Sequence, residues 1–208
     1  MANRLQAGDR RPDDYLKTPP VTTVLTEVND GQTAPFSDGI SVSGDLILVH
    51  KNREGKIISS EKIENVITYI GLWQIAQLVA GLATAPFKYI QIGTGGRDPA
   101  NPANLLPPDP KDVALVAFYK ELAAVTSTVE VLNNADRGYQ AIARFACTFD
   151  FQEEVHINEA CISVDSHAVS GTPILNRRTF YDRVMQPLDF LEVVWEISFT
   201  RYPKDKIS

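Results

Sequence analysis

The chain has 208 residues, 44% of them hydrophobic, and a formal net charge of −6. This length and composition suit one globular domain, or one domain with an arm, and exclude a wholly disordered chain. The acidic balance argues against a nucleic-acid partner, because neutralising phosphates requires clustered Lys and Arg. We also expect no membrane partner, since no run of about 18 apolar residues occurs. The polar N-terminus does not resemble a secretory signal.

The first predicted element is an extended N-terminal arm over residues 1–38. This region is rich in Pro and polar residues, so it cannot bury enough apolar surface to fold alone. One apolar alternation, at residues 21–28, is compatible with an edge strand. We expect the arm to bind a neighbouring subunit, with wrapping of its own domain as the alternative. Its predicted partner-binding residues are Tyr15, Leu16, Pro19, Pro20, Val21 and Val24.

Residues 39–208 are predicted to form the folded domain, which begins with a β-hairpin over residues 39–64. Asn52-Arg53-Glu54-Gly55 supplies its turn, where glycine suits positive φ. A helix is predicted over residues 69–81, with Thr68 as N-cap and Gly81 as its stop. Its apolar stripe consists of Leu72, Ile75, Ala76 and Val79.

A short buried strand is predicted over residues 88–92, followed by the turn Gly93-Thr94-Gly95-Gly96. Residues 97–112 then form a Pro-rich loop. Long loops without secondary structure tend to make contacts, and prolines leave little entropy to lose on docking. We therefore add four of its prolines to the predicted partner-binding residues, namely Pro99, Pro102, Pro107 and Pro108.

The rest of the chain is dominated by strand patterns. The clearest run along residues 139–151 and 189–201, where aromatic and aliphatic side chains fall on one face. Further strands are predicted at residues 125–132 and 155–165, with a short strand or turn at residues 174–180. The region 113–122 is ambiguous between helix and strand. The fold prediction is a mainly β protein, an antiparallel, jelly-roll-like β-sandwich with one short packed α-helix.

The sequence offers no pattern typical of an enzyme, and we predict no catalytic residues, cofactor or metal. Gly93-Thr94-Gly95-Gly96 is followed by a Pro-rich loop instead of a helix N-terminus, so we interpret it as a turn rather than a phosphate loop. The histidines, at positions 50, 156 and 167, lie on separate segments. Alternation places His156 on the face opposite Glu159 and Cys161, which argues against a metal site there.

Cysteines and aromatic residues leave two structural alternatives open. Cys147 and Cys161 lie in alternating apolar segments, so we expect two buried free thiols and synthesis in a reducing cytoplasm. A disulfide between neighbouring strands is the alternative. The aromatic stripes are interpreted as core, but exposed aromatic residues at a loop tip, at Phe180 and Tyr181, would favour a carbohydrate- or receptor-binding module.

Five segments in a fixed order carry a resemblance to a known protein class. They are Asn65-Val66-Ile67-Thr68-Tyr69-Ile70-Gly71-Leu72 with Tyr89-Ile90-Gln91-Ile92-Gly93-Thr94-Gly95, then His156-Ile157-Asn158-Glu159-Ala160-Cys161-Ile162, then Leu175-Asn176-Arg177-Arg178-Thr179-Phe180, and finally Leu188-Asp189-Phe190-Leu191-Glu192-Val193-Val194-Trp195-Glu196-Ile197-Ser198-Phe199. Together they span roughly residues 40–201 and resemble structural proteins of tailed-bacteriophage virions. Cys161 stands where that pattern commonly has Gly.

The resemblance implies a non-enzymatic virion structural protein, made in the bacterial cytoplasm and located in the virion. We expect a capsid decoration or cement protein that stabilises the particle through contacts between subunits. A tail, baseplate or fibre-attachment component is the alternative within this class. The expected partners are further copies of the chain, in a homo-oligomer for which we consider a trimer, and the major capsid protein or neighbouring tail proteins.

Overall fold

The structure is a computed structural model that describes residues 40–124, 126–134, 138–166 and 173–201. The chain divides into two units, Met1–Ser37 and Asp38–Ser208, and every described residue belongs to the second. The predicted arm, with its six partner-binding residues, therefore lies outside the described residues. No helix in the described ranges has both the length and the apolar character needed to cross a membrane.

The described residues form twelve strands and one helix. In chain order these are β1 (Ile40–Lys51), β2 (Ile57–Glu64), β3 (Val66–Ile67), α1 (Tyr69–Val79), β4 (Tyr89–Gly93), β5 (Arg97–Asp98), β6 (Asn101–Leu105), β7 (Phe118–Ala123), β8 (Thr126–Asn134), β9 (Gly138–Asp150), β10 (Val155–Ser163), β11 (Ile174–Met185) and β12 (Phe190–Arg201). The predicted mainly β, antiparallel architecture with one short helix is confirmed.

Two five-stranded antiparallel sheets form the body of the domain. Sheet A has the order β2-β1-β12-β9-β8, and sheet B has the order β3-β11-β10-β4-β7. The main apolar core contains side chains from both sheets, so the sheets pack face to face. Trp195 at the centre of β12 is fully buried, and its neighbours in register are Leu46 of β1 and Phe145 of β9.

The predicted hairpin and helix are confirmed. Gly55 has φ +79° in the hairpin turn, the left-handed conformation that glycine adopts without steric cost. The backbone N–H of Gly71 donates to the Thr68 hydroxyl at 2.9 Å, which makes Thr68 the N-cap of α1. The helix ends at Val79, two residues earlier than predicted, and Gly81 follows with φ +68°.

Two predictions about the chain beyond β4 need correction. The Pro-rich region contains secondary structure, because β5 and β6 pair as a small hairpin. The segment predicted as a short strand or turn at residues 174–180 is instead part of β11, a strand of 12 residues. The sequence did not indicate the full length of β11 because its charged side chains interrupt the expected alternation of apolar and polar residues. These side chains make buried polar contacts on the outer face of sheet B. The ambiguous region 113–122 contains the start of β7.

The segment that follows β6 covers the outer face of sheet B. We call residues 106–117 the covering segment. Its Leu115 is buried against Cys161 of β10 and Ile174 of β11 in a small second apolar cluster. At its two ends, the N–H of Leu106 donates to the Gly96 carbonyl at 2.9 Å, and the Ala117 carbonyl accepts from the Thr94 N–H at 2.8 Å.

Candidate functional site

The most distinctive polar feature is a buried carboxylate, Glu159, on the outer face of sheet B. Its side chain is completely inaccessible to solvent. Oε1 accepts from the backbone N–H of Gly95 at 3.0 Å and of Ala117 at 2.8 Å. Oε2 accepts from the backbone N–H of Val116 at 3.1 Å and from the guanidinium of Arg177. One side chain therefore joins β10 to the glycine turn, the covering segment and β11.

Arg177 of β11 balances this carboxylate. Its Nε and Nη2 donate to Glu159 Oε2 at 3.0 and 2.8 Å, and its Nη1 donates to Asp112 Oδ2 at 3.0 Å. Burial lowers the pKa of Arg177, but the carboxylates of Glu159 and Asp112 outweigh it, so the net direction is upward and the guanidinium is charged. Because both partners are buried, the pair depends on its complete set of hydrogen bonds.

A second polar cluster holds the β5–β6 hairpin. Asn158 Oδ1 accepts from the N–H of Gly96 at 2.6 Å, and its Nδ2 donates to Asp182 Oδ1 at 3.0 Å. Arg97 Nε donates to the same Asp182 oxygen at 3.0 Å. Partial burial raises the pKa of Asp182, but the hydrogen bonds from Arg97 and Asn158 outweigh it and hold that pKa below its usual range.

The glycine turn fits closely against these clusters. A Cβ atom on Gly95 would lie 2.7 Å from Val116 Cβ and 2.9 Å from Glu159 Oε1. A Cβ on Gly93 would lie 2.7 Å from Glu159 Oε1. These distances are shorter than normal van der Waals contacts, so glycine is required here by close approach of the chain. The turn holds the covering segment, which agrees with its interpretation as a turn leaving the sheet.

The geometry of the Glu159 cluster indicates a structural role. Its five donors occupy both carboxylate oxygens, and the side chain is fully buried. In the described ranges, no three His, Cys, Asp or Glu side chains converge in a way that could hold a metal ion. His156 has a side chain 54% exposed, whereas Glu159 and Cys161 are buried, so these three residues do not share a site.

The predicted partner-binding prolines lie around the β5–β6 hairpin. Pro99 and Pro102 are exposed at its turn and the start of β6, and Pro107 is exposed at the start of the covering segment. Pro108 is half-buried. Pro99, Pro102 and Pro107 therefore lie on the exposed β5–β6 hairpin or just after it. The rest of the covering segment is held against sheet B. Their binding role stays a prediction.

The loop-tip alternative for Phe180 and Tyr181 is wrong. Both residues lie within β11, not in a loop, and Phe180 belongs to the central core with 1% exposure. Tyr181 is 65% exposed, but the Arg97 guanidinium lies over its ring, 5.4 Å from the centroid. These two aromatic residues therefore do not form the exposed pair that a carbohydrate platform needs.

Sheet A has an exposed apolar strip where sheet B does not cover it. On β8, Val129 and Val131 pair in register with Ala143 and Ala141 of β9, yet they are 73% and 70% exposed. The strip continues into an apolar groove of about 270 Å³ between α1 and sheet A. Residues lining this groove include Ile75, Leu78, Phe87, Phe145, Ile197 and Phe199.

Sequence reasoning missed both the Glu159 cluster and the exposed strip. A charged residue inside an apolar strand, Glu159 between Ile157 and Ile162, was the available signal for the first. Most of its partners are backbone N–H groups more than 40 residues away, which no sequence pattern marks. For the exposed strip, the alternation of apolar and polar residues identifies the inward-facing side chains of β8. It does not show how far the opposing sheet extends over them.

Comparison of the chain with models of protein families, with curated proteins and with solved structures finds no match.

Proposed function

We propose that this protein is a non-enzymatic structural component of a tailed-bacteriophage virion, and specifically a capsid decoration or cement protein. The proposal rests on the way in which the segments that resemble phage virion proteins come together in the fold. Gly95, Glu159 and Arg177 come from three of those segments, and they are joined in one buried cluster. These three residues, which are far apart in the sequence, therefore contribute to the same hydrogen-bonded cluster.

The cluster supports an assembly role because it produces a rigid surface. It fastens the covering segment to sheet B with buried, charge-assisted hydrogen bonds, and the second polar cluster of Asn158, Asp182 and Arg97 holds the β5–β6 hairpin. A hairpin held in this way loses little entropy when a partner docks. Structural proteins need such pre-organised surfaces and no catalytic centre. Contacts repeated over many copies then stabilise a particle even when each one is weak.

A tail, baseplate or fibre-attachment component is the second candidate. It shares the same rigid body, and the exposed β5–β6 hairpin suits a single partner at a tail as well as a capsid lattice. The expected partners are further copies of this chain, in a closed oligomer such as a trimer, together with the major capsid protein or neighbouring tail proteins.

Incorporation into particles tests the proposal. Phage particles are purified from cells that carry the wild-type gene or the variant Pro102→Asp, which places a charge on the exposed hairpin. Quantitative mass spectrometry should find wild-type protein in the particles and at least roughly tenfold less variant. The matched control is Ser60→Asp on β2, an exposed position far from the hairpin in sequence. Absence of the wild-type protein from particles would overturn the virion role.

A further inference from the structure

Helix α1 has its apolar and polar sides reversed relative to an ordinary surface helix. Its exposed residues, all of them apolar or aromatic, are Tyr69, Leu72, Trp73, Ala76, Val79 and Ala80. They recur at the spacing of one helical face, and the most exposed, Val79, is 85% accessible. The buried side instead contains Gln74, whose Nε2 donates to the Ala85 carbonyl at 2.9 Å. A helix whose outer face is also apolar is normally covered by a partner.

The distribution of charge favours a second copy of the chain as that partner. The chain has a formal net charge of −6, yet residues 69–87 contain no charged residue. A different protein can be attracted by complementary charges, but a second copy carries the same charges as the first. Near a two-fold axis, any charged residue would face its own counterpart and repel it. The outer face of α1 is free of that repulsion.

The sizes of the exposed side chains suit antiparallel packing of α1 against α1 of a second copy. The large residues Tyr69 and Trp73 lie in the first half of this face, and the small residues Ala76 and Ala80 lie in the second half. In an antiparallel pair centred on the middle of the face, Tyr69 lies opposite Ala80 of the second copy. In the same register Trp73 lies opposite Ala76. Placing large side chains opposite small ones lets two helices approach closely and interdigitate.

We propose that the outer face of α1 is the contact surface of a homodimer, in which two copies pack their α1 helices antiparallel about a two-fold axis. The exposed apolar side chains of α1, with Leu82 just beyond its end, amount to on the order of 500 Å² per copy, so two facing copies would bury about 1,000 Å². That area lies at the lower limit for a specific interface, so the dimer should form reversibly. It would form whether or not the protein belongs to a virion.

Sedimentation velocity of the full-length protein over micromolar concentrations tests this interface. The wild type should show a reversible equilibrium between monomer and dimer. Ala76→Glu and Ala76→Lys each bring like charges together across the two-fold axis, so each should weaken dimerisation by at least roughly tenfold. Ile58→Glu, at an exposed apolar position on β2, is the matched control and should dimerise like the wild type. Circular dichroism checks that each variant folds.

Mixing the two Ala76 variants distinguishes a second copy from any other occupant of this face. In an equimolar mixture the carboxylate introduced in one chain lies near the ammonium group introduced in the other, so a heterodimer should form although each variant dimerises poorly alone. A monomeric wild type, a trimer without a dimer, or undiminished dimerisation of either variant would overturn the proposal. So would a mixture that stays monomeric, because residue 76 of the two copies would then not lie close together. None of these results bears on whether the protein is present in particles.

Discussion

Glu159 of β10 and Arg177 of β11 form a buried ion pair in which Oε2 accepts from Nε at 3.0 Å and Nη2 at 2.8 Å. Neither residue is more than 3% exposed. Three backbone N–H groups and Asp112 complete the hydrogen bonding of the two side chains. The pair fixes the covering segment to sheet B, so its removal should affect both stability and the shape of that surface.

Glu159→Gln should lower the free energy of unfolding by about 3–5 kcal/mol, because it leaves Arg177 with reduced charge compensation and turns an amide NH₂ toward N–H donors. Urea denaturation monitored by Trp fluorescence measures the change. Glu154→Gln, at an exposed position, is the control and should change stability by less than about 0.5 kcal/mol. A loss of stability below about 1 kcal/mol for Glu159→Gln would show that the Glu159 cluster does not hold the covering segment on sheet B.

Gly95→Ala should also destabilise the protein, by about 1–3 kcal/mol, since the added methyl group would crowd Val116 and Glu159. Thermal unfolding of this variant is compared with that of Thr94→Ala, which changes the adjacent exposed residue. Equal melting temperatures for the two variants would contradict the close approach described for the glycine turn.

The stability contributed by Asp182 should depend on pH. Its pKa lies below the usual value in the folded protein, because Arg97 and Asn158 donate to the carboxylate. Its contribution is therefore complete above the unfolded-state pKa and disappears as the pH falls through the folded-state pKa. The stability difference between wild type and Asp182→Asn should shrink from about pH 6 to about pH 3. A difference that does not vary with pH would contradict this assignment.

Both thiols should resist modification in the native protein. Burial raises the pKa of Cys147 to about 12 and that of Cys161 further, so almost no reactive thiolate exists at neutral pH. Both are free and buried, as the sequence predicted. Ellman's reagent should therefore react slowly with the folded chain and rapidly in denaturant. An added surface thiol, Ser41→Cys, is the positive control; equally fast labelling of the wild type would mean that the native thiols are accessible.

Trp195→Ala should cost about 3–5 kcal/mol, because the indole is fully buried in the central core. Phe145→Ala should cost less, since Phe145 is only half-buried and lines the open groove beside α1. Chemical denaturation of both variants provides the comparison. An equal cost for the two substitutions would show that the groove is closed in solution.

A strand could be predicted accurately from the sequence when one of its faces is apolar and buried and the other is polar. The stripe from Phe145 to Phe149 and the stripe around Trp195 alternate clearly, and both strands were predicted with nearly correct bounds. β11 was predicted too short because Arg177 and Thr179 on its outer face are buried under the covering segment. That face is polar because it binds Glu159 and the Leu106 carbonyl, contacts that form only in three dimensions.

The candidate site was less accessible to sequence reasoning than the fold. The prolines of the β5–β6 hairpin were singled out by composition, but composition does not reveal that Asn158 and Asp182 fasten the hairpin. The edge of β8 was visible only once the extents of both sheets were known. Sequence patterns report the local periodicity of each strand, whereas these features depend on which strands lie outermost.

Labelling of intact phage particles tests whether this protein is a structural component of a virion. A gold-conjugated antibody against the chain is applied to purified particles and viewed by electron microscopy, with detergent-opened particles as the control for epitope access. Label distributed evenly over the head is the result expected for a decoration protein. Label confined to the tail would favour the second candidate. An accessible epitope with no label on any particle would contradict the virion role.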